Sequence, residues 1–397
     1  MDYMQVNRRD VKFDAIIAAL LLTIVVGPYF VWFIKANGTL MLIVRVLFAL
    51  LCWHNSNVKK RERSLAVFFG FTVVYYILIA LLHGTINING IISRSSMLLY
   101  TFVFFTNAKF TKKTFDYFFT IFASLLAISL IVWPFALAGA ISPYTQLAIG
   151  ENERIYNIYP MLVMEPGYDF FRFYGPFDEP GVIGTIGSIA LCIKRFSMKD
   201  WKNWVVVIAG VFSFSLFFYV LVVIYVISFS VFVKKRYILS LIFAAAFGLF
   251  YIATRNNDVV YELMWKRMEW NADDKKFEGD TRVNTAVDVY YDKIKGTPAY
   301  YFGVDNIDAF WNEVGESASY KIVVVTNGMI FLVLYISFFI VYAWEKKVSR
   351  NEFMLFCFVL LGNTYQRPGV YSIIMLFLFS MLARNSLIEK QLYLTRR

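Results

Sequence analysis

Long apolar runs separated by short basic clusters dominate this chain and limit the folds that it can adopt. One such run, residues 15–34, reads AIIAALLLTIVVGPYFVWFI. A helix of about 20 apolar residues crosses the roughly 30 Å hydrocarbon core of a bilayer, whereas the strands of a membrane barrel alternate apolar and polar residues. With 59% hydrophobic and only 17% charged residues, the sequence predicts an all-α, polytopic integral membrane protein.

The basic clusters predict the topology. Of the 39 lysines and arginines, 24 lie in seven short segments, near residues 8–12, 59–63, 109–113, 194–202, 234–236, 346–350 and 384–397. Because cytoplasmic loops carry an excess of such residues, we expect all seven inside, with an even number of crossings between neighbours. The net charge of +11 is therefore explained by topology and does not indicate a nucleic-acid partner.

We predict about twelve transmembrane helices in a single membrane domain, residues 1–397, with both termini cytoplasmic. The predicted spans lie near residues 14–34, 38–54, 65–83, 91–106, 116–141, 180–194, 203–213, 215–233, 237–254, 321–343, 353–364 and 368–383. The apolar stretch 203–233 could form one long helix or a hairpin around residues 213–215. We favour the hairpin, because one helix would reverse the sidedness of every later loop.

Two long segments, 142–179 and 255–320, are then periplasmic loops, and they hold 19 of the 28 acidic residues. Their carboxylates, tyrosines and tryptophans suit a carbohydrate site, because aromatic rings stack on sugar faces and acids accept hydrogen bonds from hydroxyls. An ordinary solvated loop has a similar composition, so both interpretations stay open.

The second loop contains two helix patterns. We predict an amphipathic helix over 258–270 in the membrane interface. A second helix, capped by Asp280, runs to Lys295 and stops before Gly296. Arg282 lies in its first turn, where the macrodipole disfavours a cation. It is either a solvated surface residue or part of an anion site with the free helix N–H groups.

The most informative stretch, residues 172–188, reads RFYGPFDEPGVIGTIGS. A Gly-Pro turn and two carboxylates precede Pro180, a residue suited to the first turn of a helix. Three glycines at intervals of three then leave one helix face bare for a neighbouring helix or a lipid. Packing explains the glycines, but it does not explain Arg172, Asp178 and Glu179.

The sequence gives little sign of a metal site, a disulfide or a nucleotide site. The three cysteines lie inside apolar spans, and His54 and His83 lie at opposite ends of theirs. No P-loop and no DxD pair is present, and Asp178 with Glu179 is a weak substitute. We therefore expect no metal and no cofactor.

The pattern R-F-x-G-x-F-x-E-P-G over residues 172–181 resembles the O-antigen and capsular polysaccharide polymerases of the Wzy type, relatives of the O-antigen ligases. Such proteins have about twelve spans and a large late extracytoplasmic loop, which 255–320 matches. Arg282, Gly303 with Asp305, and the stretch 317–328 look like features of that loop. Ligases are expected to carry a histidine there, and its absence from 255–320 favours a polymerase.

The resemblance implies glycosyl transfer at the periplasmic face of the bacterial inner membrane. The donor would be a glycan on undecaprenyl pyrophosphate, the acceptor a lipid-linked repeat unit, and a chain-length regulator a further partner. The diphosphate leaving group needs fixed cations and the acceptor hydroxyl needs a base. We predict metal-independent catalysis by Glu179, Asp178, Arg172 and Arg282, with Glu179 as the base. We assign substrate binding to Arg367, Arg255, Arg94, Arg45, Tyr174 and Tyr290.

Several alternatives stay open. Arg45 lies within a predicted span, where a charge is by default functional, but it could serve packing alone. Arg367 could be an interfacial anchor. An O-antigen ligase would differ only in its acceptor. A flippase or transporter of lipid-linked oligosaccharides is expected to have short outer loops and broken helices near the midplane in both halves.

Overall fold

The computed structural model describes residues 7–55, 63–83, 107–149, 154–167, 171–227, 251–272, 285–305, 320–346, 349–366 and 372–394, with residues 100, 104, 245, 248, 249, 276, 277 and 310. The chain divides into two compact units. Unit 1 comprises Met1–Asn55 and Ala108–Trp265, and unit 2 comprises Ser56–Asn107 and Lys266–Arg397. Both are built mainly of helices, which confirms the predicted all-α class.

The helices are numbered here in chain order within the described residues. They are α1 (Asn7–Val26), α2 (Trp32–Ala36), α3 (Gly38–His54), α4 (Arg63–His83), α5 (Ala108–Leu137), α6 (Pro180–Ile193), α7 (Trp201–Phe212), α8 (Leu216–Val226), α9 (Asp258–Val260), α10 (Thr285–Ile294), α11 (Pro298–Phe302), α12 (Tyr320–Asn327), α13 (Met329–Lys346), α14 (Arg350–Gln366) and α15 (Ile373–Leu394).

Two helices, α5 and α13, are long and apolar enough to cross a membrane alone, and the bent pair Lys12–Val26 with Tyr29–Ala36 would be a third. Several other helices, among them α3, α6, α7 and α8, are apolar but shorter. The described residues thus supply two or three candidate spans of the twelve predicted. The predicted spans 91–106 and 237–254 lie mostly outside the described residues.

The predicted break in the apolar stretch 203–233 is present in the described residues. Helix α7 ends at Phe212 and α8 begins at Leu216. The three residues between them include Phe214, which has a positive φ of 49° and so turns the chain where a helix cannot continue. A single long helix over this stretch is therefore excluded.

Two predicted spans are interrupted. In 14–34, α1 stops at Val26, and Gly27 (φ 80°) and Pro28 turn the axis by 96° into Tyr29–Ala36. Glycine adopts positive φ at little cost, and proline has no N–H group to continue the helix. In 321–343, Gly328 (φ 84°) separates α12 from α13. The sequence analysis did not predict a break at either position.

Unit 1 also contains a sheet that the sequence analysis did not predict. Strands β1 (Thr145–Ile149), β2 (Arg154–Tyr159) and β3 (Leu162–Met164) pair antiparallel in that order. Tyr156 lies opposite Leu147, and Ile158 lies opposite Val163. The sheet lies in the predicted loop 142–179 and gives it a fixed structure.

The inner face of this sheet packs on the bend that follows α1. Tyr156, Ile158, Val163 and Tyr174 form a buried cluster, against which two half-buried rings pack, Tyr29 and Trp32. Tyr156 and Ile158 alternate with more exposed residues along β2, as expected for a strand with one buried face. The bend therefore supports the sheet.

In unit 2, the predicted helix before Gly296 is confirmed over its described part, α10. Its buried residues Val287, Tyr291 and Ile294 recur at helical spacing, and Gly296 follows with a φ of 78°. The capping position Asp280 lies outside the described residues. The predicted helix 258–270 is instead three short pieces, α9, a π-helical turn at Tyr261–Trp265 and a 3-10 turn at Lys266–Met268. Two short strands follow, β4 (Trp270–Asn271) and β5 (Lys276–Phe277).

Candidate functional site

The loop 171–179 lies between the sheet and α6 and is held by backbone hydrogen bonds on three sides. The Val163 N–H donates to the Gly175 carbonyl (2.7 Å), the Tyr29 N–H donates to the Pro176 carbonyl (2.7 Å), and the Phe173 N–H donates to the Phe212 carbonyl (2.9 Å). The loop therefore joins β3, the bend after α1 and the end of α7.

Asp178 and Glu179 end this loop where α6 begins. Both are half-buried. Pro180 is the first helical residue, and the Glu179 side chain does not cap the helix. Asp178 forms an ion pair with Lys35 of α2, with 3.5 Å between Nζ and the carboxylate. The N-terminal bend thus supplies a cation to one of the two predicted carboxylates.

A third carboxylate, Glu165, lies just after β3. The hydroxyl of Tyr174 donates to its Oε2 at 2.8 Å, and the Tyr174 ring is 1% exposed. Because this ring is buried, its faces are not available to a sugar. Tyr174 therefore fixes Glu165, and the substrate-binding role assigned to Tyr174 from the sequence stays a prediction.

Arg154 supplies a second cation at the start of β2. Desolvation lowers its pKa, but the charges of Glu165, Tyr156 and Glu179 outweigh that effect and raise the pKa above its ordinary value. Burial raises the pKa of the neighbouring Tyr156 to about 12, with contributions from Glu165 and Asp178 and an opposing one from Arg154. The shared electrostatics show that these groups act on one another.

We call Glu165, Asp178, Glu179, Lys35 and Arg154 the Glu179 cluster. Its two cations are exposed and its three carboxylates are half-buried, so solvent and ligands can reach it. Chemically, the carboxylates can accept hydrogen bonds or a proton, and the cations can hold an anion. The sequence analysis named only Asp178 and Glu179 of these five.

Arg172 has a different environment. It is 8% exposed, its Nε donates to the Ser213 carbonyl at 3.3 Å, and its charge acts on Tyr219 of α8. Arg172 therefore links the loop to the α7–α8 turn. Its predicted contact with a pyrophosphate stays a prediction.

The bare face of α6 packs on neighbouring helices. A Cβ atom added at Gly184 would lie 2.2 Å from the Cβ and Oγ of Ser215, and one at Gly187 would lie 3.0 Å from a methyl of Val206. The glycines therefore permit the close approach of α7 and α8, and helix packing accounts for them.

The structure describes only some of the remaining predicted residues. Arg282, Arg367 and Arg94 lie outside the described residues. Arg255 and Arg45 have exposed side chains, the latter on α3.

Tyr290 in unit 2 is half-buried. Its ring lies edge-to-face with Phe310 at 5.0 Å, and the Nζ of Lys293 is 5.9 Å from the ring centre. One face of this ring is therefore engaged by the chain itself.

Within the described residues, no three histidine, cysteine, aspartate or glutamate side chains are grouped as metal ligands. The cysteines in this part of the chain, Cys52, Cys192 and Cys357, are free thiols. Comparison of the chain with protein-family models, with curated proteins and with solved structures finds no match in any of the three. A function must therefore be argued from the residues.

Proposed function

We propose that this chain is a glycosyltransferase of the inner membrane that polymerises undecaprenyl-pyrophosphate-linked repeat units into O-antigen or capsular polysaccharide at the periplasmic face. The observation that carries the proposal is the Glu179 cluster, which combines carboxylates and cations at the start of α6. The resemblance of residues 172–181 to the Wzy-type polymerases supports the same activity. Loop 142–179 would then be periplasmic and both termini cytoplasmic.

In the proposed reaction, a hydroxyl oxygen of the acceptor repeat unit attacks the anomeric carbon of the donor glycan. A new C–O bond forms, and the C–O bond to the diphosphate breaks. The hydroxyl proton passes to a carboxylate, and the electron pair leaves with undecaprenyl pyrophosphate. Because the prenyl diphosphate ester carries the activation, the reaction requires no nucleotide.

Glu179 is the proposed base. Pro180 fixes its backbone at the helix start. A positioned general base contributes about 10²–10⁴-fold to rate.

Arg154 and Lys35 are the cations near these carboxylates, and they are proposed to stabilise the diphosphate charge as it develops. Arg172 and Arg282 keep the catalytic role proposed from the sequence, as fixed cations for the diphosphate leaving group.

The test is Glu179→Gln, which preserves shape and removes proton acceptance. We expect polymer synthesis by the purified enzyme to fall at least about 100-fold while lipid-linked donor still binds, and wild-type activity to persist in excess EDTA. Asp292→Asn is the matched control, because Asp292 is an exposed carboxylate in an ion pair with Lys295. Full activity of Glu179→Gln would remove this residue from the chemistry, and loss in EDTA restored by Mg²⁺ would refute the metal-free mechanism.

One observation favours a second function, a flippase or transporter of lipid-linked oligosaccharides. Each unit contains a broken helix, at Gly27–Pro28 in unit 1 and at Gly328 in unit 2, and discontinuous helices are typical of transporters. Gel analysis of host polysaccharide after deletion separates the two functions. Caps of a single repeat unit indicate a lost polymerase, and undecorated lipid core indicates a lost flippase or ligase.

A further inference from the structure

The lysines near the N-terminal ends of α1 and α5 fall into two sets that differ in pairing. In the first set, Lys112 donates to both carboxylate oxygens of Asp116 at 2.7 and 2.6 Å, and Lys194 reaches the same carboxylate at 3.4 Å. Lys202 lies 3.6 Å from Asp200. The charges of these lysines are therefore largely neutralised by neighbours.

The second set, Lys12, Lys109 and Lys113, is called the lysine triad here. Lys109 and Lys113 are four residues apart on α5 and so share one helix face. Helix α1 packs along α5, and the charges of Lys109 and Lys12 both act on Lys113. Within the described part of the chain, none of the three forms an ion pair.

Two acids near the triad are engaged elsewhere. The carboxylate of Asp14, two residues beyond Lys12, accepts a hydrogen bond from Asn55 at 2.7 Å and lies 3.7 Å from His54. Asp116, three residues beyond Lys113, is held by Lys112 and Lys194. Both acids are therefore drawn away from the triad.

Three like charges in this position oppose folding of the isolated chain. They repel one another, and Lys109 lies in the first turn of α5, where the macrodipole disfavours cations. Lys113 is half-buried, whereas Lys12 and Lys109 are exposed. An anion from outside the chain, bound between these lysines, would remove the repulsion.

The length of α5 indicates where that anion would lie. Its 30 residues extend about 45 Å, whereas the hydrocarbon core of a bilayer is about 30 Å thick. If α5 crosses the membrane, its first turns reach the headgroup layer. Basic pockets between membrane helices bind anionic headgroups there.

We propose that the lysine triad is a binding site for the phosphate of an anionic membrane lipid. The proposal rests on α5 crossing the membrane and not on the glycosyltransferase reaction. The triad belongs to α1 and α5, and no residue of the Glu179 cluster takes part. Bound lipid would hold the beginnings of these two helices together.

The test uses the purified full-length protein in detergent and its unfolding temperature with added phosphatidylglycerol, phosphatidylcholine or inorganic phosphate. The site variant is Lys12→Gln/Lys109→Gln/Lys113→Gln. The matched control, Lys112→Gln/Lys194→Gln/Lys202→Gln, removes the same charge at the same end of unit 1. At about fivefold per lysine, the site variant should lose roughly 100-fold in affinity for phosphatidylglycerol, and the control should lose much less.

Without lipid, the site variant should unfold at a higher temperature than the wild type, because repulsion is relieved. Because this rise in unfolding temperature is measured against the wild type, the test stays informative even if the control variant folds poorly. Equal protection by phosphatidylcholine, or a site variant that binds phosphatidylglycerol as well as the wild type does, would overturn the proposal. An equal rise in unfolding temperature with inorganic phosphate would exclude a lipid ligand and indicate a soluble phosphate ligand. Activity is not measured, so failure here leaves the proposed polymerase untouched.

Discussion

Replacing Gly184 with alanine tests whether the close approach of α6 and α8 positions the Glu179 cluster. The new Cβ would lie 2.2 Å from the Cβ and Oγ of Ser215. Ordinary contact begins at about 3.4 Å, so the helices must separate by about 1.2 Å. Gly184 lies five residues beyond Glu179 on a helix of 14 residues, so this displacement reaches the site.

The expected change in the free energy of unfolding has two opposing contributions. Alanine improves helix propensity by about 1 kcal/mol over glycine, and overpacking costs about 1–3 kcal/mol. The net change is a destabilisation of up to about 2 kcal/mol. A displacement of about 1 Å can reduce activity about 100-fold, so polymer synthesis should fall far more than stability does.

Thermal unfolding in detergent, followed by tryptophan fluorescence, and a polymerisation assay measure the two effects. Gly187→Ala should be milder, because only a methyl of Val206 lies at 3.0 Å. Gly70→Ala is the control: no atom lies within 4 Å of its Cβ position, so propensity alone should stabilise it. If Gly184→Ala is as stable and as active as Gly70→Ala, the close helix contact does not control the site.

Two further predictions concern other parts of the chain. Gly328→Ala should destabilise the protein by more than about 2 kcal/mol, because the new Cβ would lie 2.3 Å from the Tyr301 carbonyl oxygen at a positive φ. Gly296→Ala is the control, and with open space around the new Cβ it should cost about 1 kcal/mol. Equal unfolding temperatures of the two variants would contradict this prediction. The raised pKa of Tyr156, from 10.0 to about 12, favours the neutral phenol in the folded state, so its contribution to stability is complete below pH 10 and is lost as pH rises through about 12. Tyr156→Phe should therefore lose less stability than the wild type between pH 10 and 12 in unfolding measurements, and identical profiles would refute this.

The sequence predicted helix ends well where residues close in sequence determine them, for example through a capping side chain. Helix α3 occupies the predicted 38–54, and the Asn37 side chain accepts from the N–H groups of Thr39 and Leu40. The break between α7 and α8 lies at two polar residues of an apolar stretch, Ser213 and Ser215. The sheet was missed, because its strands are short and because Tyr156 and Ile158 pack on the bend after α1, more than 100 residues earlier.

The same limit applies to the candidate site. Asp178 and Glu179 are adjacent in a recognisable pattern, so the sequence was sufficient to propose them. Lys35 directly follows the predicted span 14–34 and Arg154 lies in the predicted loop 142–179, and the sequence analysis named neither residue. Only the bend at Gly27–Pro28 and the pairing of β2 with β3 bring them to the carboxylates. The available signal for the β2–β3 hairpin was the turn at Pro160 and Met161, which lies between two runs rich in β-branched and aromatic residues.

The bend after α1 also determines when the site can form during synthesis. The Tyr29 hydroxyl accepts from the Tyr144 hydroxyl (3.1 Å) and from the Met161 N–H (3.3 Å), and its backbone N–H donates to Pro176. At about 5–20 residues per second, the ribosome needs roughly 6–30 s to make these partners after Tyr29. The bend after α1 is therefore made well before these partners, and the site is completed only after α6 has emerged.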